Sequence, residues 1–181
     1  MIYLVFGVVL WSSAHLFKRA APTQRAAAGD AGRAGVAVAV LISIVLMIIG
    51  YQQASGPLFW GRSATMVGLN NLLMLLAIYF MVISVIKVKL NTKVRHPQLT
   101  AIKTWAIAHL LVNGDVASFV LFGGLLAWAV VSVILIGKQD GKADVNIPSS
   151  ATKELGAIAL TLALYGAVSA AHTSLGYPVF G

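Results

Sequence analysis

Apolar residues fill six long stretches of this chain, and polar or charged residues separate them. The stretches lack the alternation of apolar and polar positions that a lipid-facing barrel strand would require. Only helices and closed barrels satisfy their backbone hydrogen bonds in hydrocarbon, so the pattern predicts membrane-spanning helices. We therefore predict an all-α fold, a single domain over residues 1–181 that forms a polytopic bundle of six transmembrane helices. The predicted spans are 2–17, 35–51, 66–86, 99–113, 116–136 and 154–172.

The positive residues lie almost entirely on one side of this arrangement. Of the thirteen Lys and Arg residues, twelve lie in or beside the first, third and fifth connections, and only Arg62 lies in the second. Cytoplasmic loops carry the excess of Lys and Arg in membrane proteins, so these three connections are predicted to be cytoplasmic. Both termini then face outward (N-out, C-out). A five-span arrangement would scatter the charge, so the asymmetry supports counting the short span 99–113.

The composition narrows the possible chemistry and partners. With 59% hydrophobic and 10% charged residues, the chain is too apolar to be surrounded by water. It contains no cysteine, which excludes disulfides, zinc–thiolate sites, iron–sulfur clusters and cysteine nucleophiles. The net charge of +8 does not indicate nucleic acid, because no basic run is interleaved with aromatic residues. Membrane lipid is the expected partner.

Two of the longer connections are predicted to lack regular structure. Ala20–Ala34 consists mainly of Ala and Gly and is predicted to be a loop without a fold of its own. Gln52–Thr65 is predicted to be a turn that carries Trp60 at the membrane interface.

All four histidines lie within or at the ends of predicted spans, where an ionisable group costs about 2.5–3.5 kcal/mol to insert. By helical rise, His15 and His109 lie in the inner half of the bundle and differ in depth by about 5 Å, whereas His172 belongs at the outer face. Two imidazoles from different helices could hold a haem iron or another metal ion. They could also form hydrogen bonds between helices or relay protons. Any haem would be non-covalent, because the chain has no CxxCH motif.

The fourth span carries a polar and aromatic stripe on one helical face. Pro97, which follows His96, suits the first helical position, and Asp115 after the turn suits the cap of the next helix. We expect the stripe to point into the bundle, where Trp105 could stack on a porphyrin or simply pack in the core. The stripe consists of Gln98, Ile102, Trp105, His109 and Asn113.

The run RHPQLTAIKTWAIAHLLVNGDVASFVLFGGLLAWA, from Arg95, closely resembles the signature of the NnrU family of integral membrane proteins. The family pattern is an RHP start, a W-x-x-A-H step, an N-G-D turn and an F-G-G-L helix, and all four elements are present. The sequence AHLF at His15 and the terminal HTSLGYPVFG, from His172, are also similar to family features. The resemblance extends over nearly the whole chain.

This resemblance implies a bacterial inner-membrane protein linked to denitrification. A related branch is the plastid and cyanobacterial 15-cis-ζ-carotene isomerase, a haem b enzyme whose ligand histidines match His15 and His109. The implied protein binds haem b through these two residues, with His96 and Asn113 shaping the pocket and Asp115 fixing the turn. Its role would be redox or isomerase-like chemistry on a hydrophobic small molecule, or support of denitrification. The isomerase has a G-N-S turn where this chain has Asn113-Gly114-Asp115, which favours NnrU proper over carotene chemistry.

Two other functions remain open at this point. The first is a non-enzymatic membrane partner or assembly factor of a respiratory complex, in which the histidines serve structure. The second is an S-adenosylmethionine-dependent membrane methyltransferase, because RHP before an apolar helix also opens the cofactor motif of enzymes such as isoprenylcysteine carboxyl methyltransferase. Those enzymes have a G-P-Y run before RHP and an acidic segment after it. This chain has Asn91-Thr92-Lys93 before it, and its only glutamate is Glu154.

Overall fold

The computed structural model describes residues 1–141 and 147–180, and these residues are mainly helical. Lys142, which the charge pattern assigns to a cytoplasmic connection, lies outside the described residues. A short 3₁₀ turn, Lys89–Thr92, connects two of the helices. The helices are α1 (Ile2–Ala20), α2 (Pro22–Ala27), α3 (Gly29–Gln52), α4 (Ala64–Ile86), α5 (Pro97–Val112), α6 (Val116–Asp140) and α7 (Ala151–Ser174).

Four of these helices, α3, α4, α6 and α7, are long and apolar enough to cross a membrane. The prediction of a helical membrane protein is therefore confirmed at this level. The other two predicted spans correspond to α1, with 19 residues, and α5, with 16. The count of six spans and the outward orientation of both termini stay predictions.

The prediction of an unstructured connection over Ala20–Ala34 is wrong. The segment forms α2 and the first turns of α3, interrupted only at Ala21 and around Gly29, whose φ is +50°. The physical reason is its alanine content, since Ala has the highest intrinsic helix propensity. Pro22 occupies the first helical position of α2, where its missing N–H costs nothing.

A pair of short strands was not predicted by the sequence pattern. Strand β1 (Leu58–Trp60) pairs antiparallel with β2 (Gly114–Asp115). The indole Nε1 of Trp60 also donates a 3.0 Å hydrogen bond to the carbonyl oxygen of Leu110, and a Cβ atom at Gly114 would overlap the Trp60 ring. The connection after α3 is therefore fixed to the turn between α5 and α6.

The helices assemble as two hairpins that α6 joins. Helix α1 packs along α3, α4 packs along α5 with α7 on its other side, and α6 contacts both α1 and α5. The contact between α1 and α3 is close because Gly7 and Gly50 lie in it. A Cβ at Gly50 would overlap the backbone of Leu4. Small residues allow such approach in membrane bundles, where packing replaces the hydrophobic driving force between helices. The core at this junction is formed by Leu4, Val8, Met47, Ala117 and Leu125.

Candidate functional site

His15 and His109 make the same local hydrogen bond in two different helices. The Nδ1 atom of His15 lies 2.9 Å from the carbonyl oxygen of Trp11, and that of His109 lies 3.0 Å from the carbonyl oxygen of Trp105. A carbonyl oxygen only accepts, so Nδ1 carries the proton in both rings. In the neutral imidazole, Nε2 then keeps its lone pair and is free to bind a metal ion.

This shared geometry has a sequence basis that the positions of the histidines alone did not reveal. Both histidines end a W-x-x-A-H segment, residues 11–15 in α1 and residues 105–109 in α5. The four-residue spacing places each tryptophan one turn before its histidine. The ring centroids are 4.1 Å apart for Trp11 and His15, and 5.1 Å apart for Trp105 and His109. The repeated W-x-x-A-H spacing is the signal that would have identified Trp11.

The two histidines contact α6 at different heights. His15 packs edge-on against Trp128, with centroids 4.9 Å apart, and His109 stacks on Phe122 at 4.6 Å and 28°. Phe122 and Trp128 are six residues apart, so these two rings are offset by roughly 9 Å along α6. This offset is larger than the depth difference of about 5 Å that the sequence predicts for His15 and His109. Phe122 belongs to a π-helical turn, Phe119–Gly123. Such turns are frequent at functional sites.

An apolar cavity of about 400 Å³ is bordered by the three tryptophans that pack against these histidines. Five helices contribute to its wall, including Trp11 from α1, Trp105 from α5 and Trp128 from α6. Neither His15 nor His109 itself lines the cavity, but each packs against tryptophans that do. The volume falls within the usual range of small-molecule and cofactor sites, about 300–1,000 Å³.

Two polar atoms in residues of this wall have no hydrogen-bond partner. The indole Nε1 atoms of Trp11 and Trp128 are completely buried and donate to no acceptor among the described residues. A buried donor without a partner is costly, by about 1–3 kcal/mol, so such groups are uncommon in native structures. The two rings meet edge to face at 5.5 Å.

The start of α6 is held by a hydrogen-bonded chain next to His109. Asp115 Oδ1 accepts from the backbone N–H of Ser118, which confirms the predicted helix cap, and Oδ2 accepts from the Ser118 hydroxyl at 2.8 Å. Because that hydroxyl has only one hydrogen, the Tyr51 hydroxyl must donate to Ser118 Oγ, also at 2.8 Å. Tyr51 then contacts Phe122 edge-on, so the chain reaches the ring on which His109 stacks.

Asn113 closes the last turn of α5. Its Nδ2 donates at 2.9 Å to the carbonyl oxygen of His109, while Asn70 Nδ2 donates from α4 to the carbonyl oxygen of Ala108 at 2.7 Å. Each amide adds a side-chain hydrogen bond to a carbonyl oxygen in the last turns of the helix. They fix the backbone that carries His109.

The C-terminal ends of α1 and α6 are joined by an ion pair. Arg19 donates to both carboxylate oxygens of Asp140, at 2.7 and 2.8 Å, and exchanges hydrogen bonds with Gln139. His96 lies within electrostatic range of this pair, and burial together with the neighbouring Arg95 charge holds the pKa of His96 below its ordinary value. The contacts thus place His96 near the C-terminal ends of α1 and α6, one helix length from Asn113.

The structure therefore brings together only part of the predicted site. Trp105, His109, Asn113 and Asp115 lie where α5 ends and α6 begins, and His15 faces Trp128 further along α6. His172, predicted at the outer face, lies within electrostatic range of His109. Its Nδ1 is bonded to the carbonyl oxygen of Val168 at 2.9 Å. Among the described residues, no group of three or more His, Asp or Glu side chains could hold a metal ion.

Neither the curated proteins nor the solved structures contain a match to this chain. The family model of the NnrU protein matches residues 3–179 of the 181 residues. The match covers both W-x-x-A-H segments, the turn into α6 and the segment after α7. This chain of apolar, membrane-crossing helices belongs to the NnrU protein family.

Proposed function

We propose that this NnrU-family protein binds haem b non-covalently in the bacterial inner membrane, with His15 and His109 as the residues that hold the iron. The observation that supports this most strongly is that the Nδ1–H of both imidazoles donates to a backbone carbonyl oxygen, which leaves Nε2 available in each ring. A hydrogen bond from the other ring nitrogen fixes the tautomer and orientation of metal-binding histidines. Two imidazoles from different helices are a usual ligand pair for a non-covalent haem.

The tryptophans that pack against the two histidines also border an apolar site that suits a hydrophobic molecule beside the haem. This cavity is walled by indole rings and aliphatic side chains, and Trp11 and Trp128, whose indole N–H groups have no hydrogen-bond partner among the described residues, belong to its wall. Trp105 forms part of that wall. Asn113 and Asp115 hold the ends of α5 and α6 and so position His109.

A bound haem would supply one-electron chemistry at its iron. The chain itself supplies the exclusion of water and the positioning of the ligands, since the cavity wall is almost wholly apolar and contributes no general acid or base. We infer that the reaction is redox or isomerase-like chemistry on a hydrophobic molecule, or that it supports denitrification. This function needs only a dry apolar site beside the metal.

The absorption spectrum of the purified protein tests this proposal. Protein produced with adequate porphyrin supply is expected to show a Soret band that both His15→Ala and His109→Ala abolish or shift. The matched control is His172→Ala, which removes a histidine with the same Nδ1 bond but with valine in place of the preceding tryptophan. This variant is expected to keep the band.

A purified protein that is folded and supports denitrification but has no Soret band would refute haem binding. It would favour the alternative of a membrane partner or assembly factor of a respiratory complex. Loss of the band in His172→Ala but not in His15→Ala would instead exclude His15 as a ligand.

A further inference from the structure

The apolar cavity opens sideways from the bundle, between α3 and α4. These two helices are fully described, and they do not pack extensively against each other, because α3 lies along α1 and α4 lies along α5. Both nevertheless contribute to the wall, with Ile44 and Met47 from α3 and Met74 and Met81 from α4. Ile44 is 38% exposed and Met81 is 37% exposed. They therefore form the rim of an opening.

The opening faces the hydrocarbon of the membrane. Large apolar side chains are exposed on the two helices that border it, Leu41 (64%) and Ile48 (52%) on α3 and Leu72 (56%) on the outward face of α4. Both helices are long and apolar enough to span the bilayer. An apolar void does not hold water, and its lining loses dispersion contacts for as long as it stays empty. Hydrocarbon that can enter such a void from the bilayer therefore has a reason to do so.

We propose that the long hydrocarbon chain of a bilayer-dissolved molecule enters the cavity between α3 and α4, so that the ligand of this protein is a lipid rather than a water-soluble metabolite. Met47, Met74 and Met81 flank the route. Methionine side chains are unbranched and adapt to irregular apolar surfaces, which suits a flexible chain. This inference rests on the proposed function in that it uses the same cavity, and it adds the class of substrate and its path of entry.

Photo-crosslinking tests this route directly. The full-length protein is placed in phosphatidylcholine vesicles in which one acyl chain carries a diazirine at mid-length, and the adducts are mapped by mass spectrometry after illumination. The expected result is labelling of Trp128, which is 8% exposed and lines the cavity from α6. Labelling only of outward-facing residues such as Leu72 would overturn the inference.

A pair of neighbouring substitutions makes the experiment specific. Ala77 is a 4% exposed wall residue of α4, and Ala77→Phe is expected to fill the cavity and lower the Trp128 adduct severalfold. Leu76→Phe, at a position 41% exposed to lipid, is the matched control and is expected to leave the adduct unchanged. If Ala77→Phe does not fold, Ile78→Phe at a partly buried wall position replaces it. An equal adduct yield in the filled and control variants would also overturn the inference.

Two additional measurements distinguish the source of the hydrocarbon chain and separate the haem proposal from the lipid-entry proposal. If an unlabelled long-chain isoprenoid alcohol lowers the yield of the Trp128 adduct, the site takes isoprenoid chains. If the alcohol leaves the yield unchanged, the site takes phospholipid acyl chains. The absorption spectrum of the same sample reports haem independently. A Soret band without a Trp128 adduct refutes the lateral route alone, and an adduct without a Soret band refutes haem binding alone.

Discussion

The crossing of α1 and α3 gives a prediction whose sign differs between two chemically identical substitutions. Gly50→Ala places a methyl group against Leu4, 2.7 Å from its Cα and 2.8 Å from its Cβ, and closer still to its backbone nitrogen. These atoms belong to the chain itself and cannot rotate away. Ordinary contact begins near 3.4 Å. Helix α1 must therefore move away from α3 by roughly 1 Å, a gap that forfeits a quarter to a half of each dispersion contact.

The expected cost follows from what this displacement separates. Leu4 is fully buried, and Val8 and Met47 are each 8% exposed in the same core. Overpacking of a tight core costs typically 1–3 kcal/mol, so we expect Gly50→Ala to destabilise the protein by about that amount. The control is Gly166→Ala in α7, where nothing lies within 4 Å of the added methyl group. Because Ala exceeds Gly in helix propensity, this control is expected to be neutral or stabilising by up to about 1 kcal/mol.

The assay is equilibrium unfolding in mixed detergent micelles, followed by the fluorescence of the tryptophans. The two variants should move the midpoint in opposite directions, or Gly50→Ala alone should lower it. Equal shifts for both variants would show that α1 does not pack on α3 through Gly50.

Three further predictions test other parts of the structure. Ser118→Ala removes the two hydrogen bonds of the Ser118 hydroxyl and should cost about 1–3 kcal/mol, whereas Tyr51→Phe removes one of them and should cost about 0.6 kcal/mol in the same unfolding assay; equal costs would refute a contribution of the hydroxyl bond to Asp115. Because the folded-state pKa of His96 is lowered, the unfolded chain binds its proton more readily, so stability is lost as pH falls through the ordinary value of 6.5. Between neutral pH and about pH 5, wild type should therefore lose more thermal stability than His96→Gln, and parallel curves would refute this. Reporter fusions after Arg33 and Lys93 should report the cytoplasm and one at the C-terminus the opposite side; a split result would refute the six-span orientation.

The positions of most helices could be predicted because each apolar run carries its own signal. Spans 66–86 and 116–136 differ from α4 (Ala64–Ile86) and α6 (Val116–Asp140) by only a few residues at their ends. The cap at Asp115 was predictable for the same reason, since the capping residue and the N–H it accepts from are three positions apart. These features depend on residues within one or two turns of each other.

The candidate site required more than that. The sequence identified His15 and His109 as residues on different helices, but their height along α6 depends on how Phe122 and Trp128 pack, and the strand pair of β1 and β2 joins segments more than fifty residues apart. The cavity exists because α3 and α4 each pack elsewhere and leave a space between them. Hydropathy, capping and helix propensity are local properties of the chain. The sequence alone therefore determined a helical membrane protein with two histidines as candidate metal ligands. The relative placement of helices depends on contacts between distant residues, and only the tertiary structure decided which side chains surround the cavity and where it opens.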